Sequence, residues 1–167
     1  LSIRRQRQMC IRDSPYDMPI FGCKTNHIST LRLWQSEAVN EFDFNLFNQQ
    51  KYTEASLEKN SAEDISRVLY PNDDTREGKK LRLKQQYFFC SASLQDITKK
   101  HFDRFGSLEN ISDSITIQLN DTHPVISIPE FIRILVNSGM DFERAFAITK
   151  KVFNYTNHTV TVSYTHL

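Results

Sequence analysis

The chain has 167 residues, of which 39% are hydrophobic and 25% are charged, and its formal net charge is +1. These values are typical of a globular domain with a sizeable core, and the near-neutral charge argues against a nucleic-acid or membrane-surface partner. No run approaches the roughly 18 apolar residues that a membrane-spanning helix requires. The three cysteines are far apart in the sequence, which favours a reducing compartment over a disulfide framework.

The two ends of the chain differ in character from the rest. Residues 1–14 carry four arginines and no core pattern. They lack the apolar run and the cleavage site of a secretory signal. Residues 1–14 and 161–167 resemble translated adapter sequence, so we expect both segments to be non-native. Residues 15–160 are then expected to be an internal piece of a longer protein.

The first part of the chain predicts short elements joined by irregular segments. Residues 15–30 are rich in turn-forming residues and predict extended, irregular backbone. The alternating residues 31–34 predict a short strand. Residues 40–50, rich in asparagine, aspartate and phenylalanine, predict a loop.

Residues 51–69 predict two short helices broken near Asn60. Ser61 is a candidate N-cap for the second helix, whose apolar face would include Ile65 and Val68. Residues 70–78 have the composition of an exposed, mobile loop.

The second part alternates helices and strands. Residues 79–102 carry a wide apolar stripe at helical spacing and predict a largely buried helix. Residues 115–119 predict a strand, residues 129–139 and 141–153 predict two amphipathic helices, and residues 154–160 predict a second strand. Asp141 is a candidate cap for the second of these helices, and Phe142 and Phe146 are expected on its apolar face. Strands that alternate with helices indicate an α/β fold.

Two polar clusters follow the predicted strands. The first is the segment 118–124, Gln-Leu-Asn-Asp-Thr-His-Pro, and the second is the segment 155–159, Tyr-Thr-Asn-His-Thr. Polar residues at strand ends favour a ligand-binding edge of the sheet. The alternative is that His123 and Asn157 only hold turns in place.

Familiar catalytic and metal-binding patterns are absent from the sequence. It contains no G-x-G-x-x-G, Walker or G-x-S-x-G motif. It also contains no C-x-x-C or H-x-x-x-H pair, so no metal site is predicted. The isolated His27 and His101 are predicted to be surface or capping residues.

Several longer motifs occur in a fixed order along residues 15–160. They are Tyr16-Asp17-x-Pro19, Leu31-Arg32-Leu33-Trp34, Leu69-Tyr70-Pro71-Asn72-Asp73, Glu77-Gly78-Lys79-Lys80-Leu81-Arg82-Leu83-Lys84-Gln85, Asn120-Asp121-Thr122-His123-Pro124 and Tyr155-Thr156-Asn157-His158-Thr159. In this order and spacing they resemble the glycogen/maltodextrin (α-1,4-glucan) phosphorylase family. The resemblance covers the later part of that family's N-terminal domain.

The resemblance implies part of a two-domain glycosyltransferase-B fold and a retaining glycosyltransferase activity. The parent enzyme would use orthophosphate to release glucose 1-phosphate from the non-reducing end of an α-1,4-glucan. Its pyridoxal phosphate would be bound through a lysine of the C-terminal domain, and this chain has no counterpart of that segment. The resemblance also implies a cytoplasmic homodimer as the parent, and a fragment that is inactive alone.

Site roles follow from the resemblance only where its motifs match. His158 corresponds to the histidine beside the glucose in the catalytic subsite, where it contacts the primary hydroxyl. Asp121 and His123 would line the glucan channel near the acceptor side. The segment Asn72-Asp73-Asp74 matches a mobile loop that closes the channel.

Two other classes of function stay open at the level of the sequence. The first is a non-catalytic carbohydrate-binding protein. The second is another glycosyltransferase-B enzyme, such as a nucleotide-sugar glycogen synthase, which would lack this combination of motifs.

Overall fold

The structure is a computed structural model that describes residues 11–40 and 42–158. The chain divides into two compact units, Leu1–Phe88 and Phe89–Leu167. Within the described residues, no helix combines the length and the apolar character that crossing a membrane requires. The predictions for residues 1–10 and 159–167 lie outside this description, and the non-native character of both ends stays a prediction.

The first unit opens with a long antiparallel hairpin. Strand β1 (Ile11–Phe21) pairs with β2 (Ile28–Ala38) along its whole length. The prediction of irregular backbone for residues 15–30 was therefore wrong, whereas the strand predicted at residues 31–34 is present as part of the longer β2. Residues 11–14, which belong to the segment predicted to be non-native, are part of β1.

The prolines of β1 explain why the sequence obscured this hairpin. Pro15 lies opposite Trp34 and Pro19 lies opposite Thr30 in the ladder. Proline has no backbone N–H and is normally confined to edge strands. The two-stranded sheet consists only of edge strands, so both prolines are tolerated.

Three short helices follow the hairpin. Helix α1 (Phe44–Asn48) lies in the segment that was predicted to be a loop, and that prediction was wrong. Its N-cap is Asp43, whose carboxylate accepts from the backbone N–H of Asn45 at 2.9 Å and of Leu46 at 3.1 Å. These bonds satisfy two of the amides that a helix start leaves without partners, which stabilises a very short helix.

The two helices predicted for residues 51–69 are present, but their boundary was placed wrongly. They are α2 (Tyr52–Ala55) and α3 (Leu57–Arg67), so the break is at Ser56 and not near Asn60. Ile65 is buried as expected, whereas Val68 is 67% exposed. The helix ends before Val68, whose backbone is already extended, so the helical periodicity no longer determines where its side chain points.

The second unit contains the α/β alternation. Its elements are the C-terminal part of α4 (Arg76–Phe105), a 3₁₀ turn (Ile111–Asp113), β3 (Ile117–Asn120), α5 (Ser127–Asn137), α6 (Phe142–Val152) and β4 (Phe153–Thr156). Strands β3 and β4 are parallel. Two helices in the connection between parallel strands are the crossover that such pairing requires, so the predicted α/β class is confirmed.

Apolar residues of α4, the 3₁₀ turn, α5 and α6 form one core in this unit. The buried cluster consists of Leu94, Ile111, Phe131, Ile134, Leu135, Ala145, Ile148 and Val152. Phe142 and Phe146 were expected on the inner face of α6, but they are 59% and 43% exposed. They stack on each other with ring centroids 6.1 Å apart. The buried face of α6 is therefore narrower than the sequence predicted.

Helix ends in this unit follow their sequence signals. Gly106, after α4, and Gly139, after α5, have φ values of 70° and 103°. Glycine is favoured after a helix because it adopts positive φ without steric strain. Asp141 caps α6 by accepting from the Arg144 amide at 3.0 Å, as predicted.

Candidate functional site

The parallel pairing brings the two polar clusters to one edge of the small sheet. Asn120 and Thr156 form the last residue pair of the ladder. One residue further on, the Asp121 amide donates to the Thr156 carbonyl at 2.7 Å. The predicted proximity of the two clusters is therefore confirmed, because both follow the carboxyl ends of neighbouring strands. Their role in ligand binding stays a prediction.

Asp121 turns the chain sharply at the end of β3. Its φ is +68°, in the left-handed region that few residues other than glycine adopt. Aspartate tolerates this region because its side chain can bond to nearby backbone. Here the carboxylate accepts from the Thr122 amide at 2.8 Å. The carboxylate is thus held beside its own backbone at the start of the loop.

His158 and Asn120 connect the two clusters directly. The Nε2 atom of His158 contacts Oδ1 of Asn120. On the same strand pair, Nε2 of Gln118 donates to Oγ1 of Thr156 at 2.6 Å. All four side chains are exposed, and the amides of Gln118 and Asn120 are engaged in these bridges. The His158 imidazole is the group at this edge that suits a hydroxyl of a sugar.

The segment after Asp121 leads into helix α5. His123 is half-buried, and the Pro124 carbonyl accepts from the Ser127 amide at 2.9 Å. The Cys90 thiol of α4 donates to the same carbonyl at 3.8 Å. Burial raises the pKa of Cys90 above its ordinary value, a contact with Ser127 acts in the opposite direction, and the negative charge of Glu130 raises it further.

We expect Cys90 to be alkylated by iodoacetamide at least about tenfold more slowly than the exposed Cys23, because the thiolate is the reactive form and burial disfavours it. Peptide mapping by mass spectrometry at pH 8 measures both rates. In denaturant the two residues should react alike. Equal rates in the native protein would show that the Cys90 thiol is not shielded.

A buried polar network between α4 and α5 was not predicted from the sequence. Glu130 of α5 is 3% exposed. Its carboxylate accepts from Arg133 at 2.6 and 2.7 Å and from the Ser91 hydroxyl at 2.6 Å, and Gln95 donates to that hydroxyl at 2.8 Å. The only sequence signal was the i,i+3 spacing of Glu130 and Arg133. Ion pairs on exposed helix surfaces have the same spacing, so it does not indicate burial.

His101 was also assigned wrongly. It was predicted at the surface or at a helix cap, but it is 4% exposed. Its Nε2 lies 3.1 Å from Oδ1 of Asn110, and its Nδ1 lies 3.1 Å from the Ser114 hydroxyl. His101 therefore holds the segment after α4 against the helix.

The remaining predicted site residues lie in the first unit, in the loop before α4. The Asn72 side chain accepts from the Asp74 amide at 2.8 Å, which forms a local turn. Asp73 forms an ion pair with Arg82 of α4 at 2.6 Å. Asn72 and Asp74 are exposed, whereas Asp73 is half-buried. The loop is thus attached to the start of α4 in this structure, and the expected mobility stays a prediction.

The backbone of this loop packs closely against Gly78 of α4. A Cβ atom added there would lie 2.0 Å from the Asn72 carbonyl oxygen. In an ordinary helix, Gly→Ala stabilises by about 0.5–1 kcal/mol, but here the clash should reverse the sign. Gly78→Ala is expected to speed amide hydrogen exchange across residues 72–78 of the full-length protein.

The neighbouring substitution Lys79→Ala is the matched control, because Lys79 is exposed on the same helical turn. It should leave exchange in the loop unchanged. Exchange in Gly78→Ala that stays equal to wild type, or becomes slower, would contradict the steric argument.

Metal and cofactor binding were considered from the donor groups of the described residues. Across residues 11–40 and 42–158, no cluster of three or more His, Cys, Asp or Glu side chains is placed to hold a metal ion. Pyridoxal phosphate requires a lysine that forms a Schiff base in an enclosed site. All ten lysines of the sequence lie in the described part, and none is buried. The described residues thus form no enclosed Schiff-base site among themselves.

Comparison with known proteins gives a consistent result. A family model described as carbohydrate phosphorylase matches residues 1–163. The chain is 52% identical over 155 residues to the brain form of glycogen phosphorylase from Mus musculus. The aligned region covers 87% of this chain and 18% of that protein. The chain is 46% identical over 151 residues to glycogen phosphorylase from Synechocystis. In this comparison the aligned region covers 90% of this chain and 18% of that protein.

The muscle form from Ovis aries is 48% identical over 155 residues, again covering 87% of this chain and 18% of the relative. The chain thus spans about a fifth of the length of the curated relatives it matches. The family model covers nearly the whole chain. The chain therefore belongs to the carbohydrate phosphorylase family.

Proposed function

We propose that the full-length protein carrying this chain is an α-1,4-glucan phosphorylase. It would transfer the terminal glucose of glycogen or maltodextrin to orthophosphate and release glucose 1-phosphate with retention of configuration. The observation that carries the proposal is the identity of about one half to glycogen phosphorylases from both mammals and a cyanobacterium. The protein would act as a cytoplasmic homodimer.

Within this protein, the chain supplies part of the glucan site and none of the cofactor site. His158 would contact the primary hydroxyl of the glucose, and Asp121 and His123 would line the channel on the acceptor side. The convergence of the two clusters at one sheet edge supports these roles, because sugar hydroxyls need several donors and acceptors close together. Pyridoxal phosphate would be bound by the remainder of the protein.

The loop Asn72-Asp73-Asp74 would close over the glucan. Its exposed Asn72 and Asp74 side chains support this role, since they are accessible to a ligand. Movement of the loop would require the ion pair between Asp73 and Arg82 to open. That pair is half-exposed. Exposed ion pairs stabilise a structure by only about 0–1 kcal/mol, so breaking this pair would cost little free energy.

The test is to incubate the full-length protein with maltoheptaose and orthophosphate and to follow the products by ³¹P NMR. We expect loss of orthophosphate and an equal gain of α-glucose 1-phosphate. Free glucose in place of the phosphate ester would indicate a hydrolase. Glucan binding without any product would favour the non-catalytic alternative, and product only from a nucleotide sugar would favour a synthase.

A further inference from the structure

The contact between Asn120 and His158 constrains the imidazole ring. Oδ1 of Asn120 is the atom that meets Nε2 of His158. An amide oxygen accepts hydrogen bonds and cannot donate them, so with Oδ1 as the partner the ring donates from Nε2. In the neutral ring, Nδ1 is then the acceptor. The contact therefore selects one tautomer and one orientation of the ring.

We propose that Asn120 is a positioning residue for His158, presenting the acceptor Nδ1 to a hydroxyl group of the bound sugar. This inference rests on the proposed function, in which His158 lies beside the terminal glucose. Asn120 does not itself touch the sugar in this proposal. It acts through the ring that it holds.

The fold makes Asn120 a suitable anchor. Its backbone is part of β3 and pairs with Thr156 in the last rung of the parallel ladder. His158 lies two residues beyond that rung and is exposed, so the strand pairing does not orient its side chain. Without the amide of Asn120, the ring would sample several rotamers and both neutral tautomers, and fewer molecules would present Nδ1 to the sugar.

A second side-chain bridge on the same strands provides a matched comparison. The Gln118 side chain forms a hydrogen bond with Thr156 and so links β3 to β4. The Asn120 side chain links β3 to His158 in the same way. Both residues are exposed and both bonds span 38 residues of sequence. Gln118→Ala therefore removes a bridge of the same kind without touching His158.

The experiment is a double-mutant cycle of Asn120→Ala and His158→Ala in the full-length protein, with kcat and KM measured for phosphorolysis of maltoheptaose. Asn120→Ala should lower kcat by about threefold to tenfold, the range expected for one neutral hydrogen bond. In the His158→Ala background, the same change should cause no further loss, because its effect acts through the ring. Asn120→Asp, which keeps an acceptor oxygen, should retain more activity than Asn120→Ala, and Gln118→Ala should match wild type.

The outcomes separate the inference from the proposed function. Equal losses from Asn120→Ala in both backgrounds would overturn the inference and leave the role of His158 intact. Activity of Asn120→Asp no higher than that of Asn120→Ala would also overturn it, since the acceptor would then be irrelevant. If His158→Ala alone had the wild-type kcat, the proposed role of His158 would fail and the inference would fail with it.

Discussion

Replacing His158 by alanine in the full-length protein should lower kcat by more than about tenfold, because a hydrogen bond to the reacting sugar can strengthen in the transition state. The side chain is exposed in this structure and belongs to no hydrophobic core. Its loss should therefore change the melting temperature little. The combination of a large kcat effect and an unchanged fold is what distinguishes a ligand contact from a turn anchor.

His27 provides the matched control for this substitution. It is also exposed, and its Nε2 contacts a nearby Ser29 hydroxyl at 3.3 Å. His27→Ala should leave kcat and KM unchanged. If His158→Ala instead lowered the melting temperature and kept kcat near wild type, His158 would be a structural residue and its assignment to the glucose subsite would be wrong.

The isolated 167-residue chain should have no phosphorylase activity. It spans 18% of the relatives it matches, and none of its lysines is buried as a Schiff-base partner for pyridoxal phosphate would be. The assay measures glucose 1-phosphate released from maltoheptaose with orthophosphate and added pyridoxal phosphate. The full-length protein under the same conditions serves as the positive control.

Any phosphate-dependent turnover by the isolated chain above the blank would contradict this expectation. It would mean that the described lysines, or residues outside the described part, form a cofactor site that the fold does not suggest. Turnover that survives removal of orthophosphate would point to a different reaction altogether.

The sequence predicted the second unit better than the first, and the reason is periodicity. Helices α5 and α6 carry clear apolar faces, and both end in signals that act locally, such as Gly139 and the cap Asp141. Strand β3 is short, but it lies between well-defined helices. Local sequence signals and tertiary packing favour the same helices here, so the local signals were sufficient to predict them.

The hairpin β1–β2 was missed because its stabilising contacts are not local. The residues that pair, from Ile11 with Ala38 to Phe21 with Ile28, are separated by 27 positions at one end and 7 at the other. Prolines within β1 mask the strand signal. A two-stranded ribbon tolerates them, but only knowledge of the partner strand reveals that it is two-stranded.

The candidate site was predicted in its location but not in its connections. Polar residues at two strand ends identified the edge, whereas the link from Asn120 to His158 depends on the parallel register of β3 and β4. The network around Glu130 could not be predicted, because neighbouring helices decide whether a carboxylate is buried. Phe142 and Phe146 were misplaced for the same reason.

The most direct test of the proposed glucan site is a crystal structure of the full-length protein with a bound maltooligosaccharide. The measurement is the distance from the His158 imidazole nitrogen to the nearest sugar hydroxyl oxygen. We expect about 2.6–3.2 Å, the range of a direct hydrogen bond. A glucan bound in the catalytic cleft with every hydroxyl more than about 6 Å from this imidazole, beyond the reach of one bridging water, would contradict the assignment.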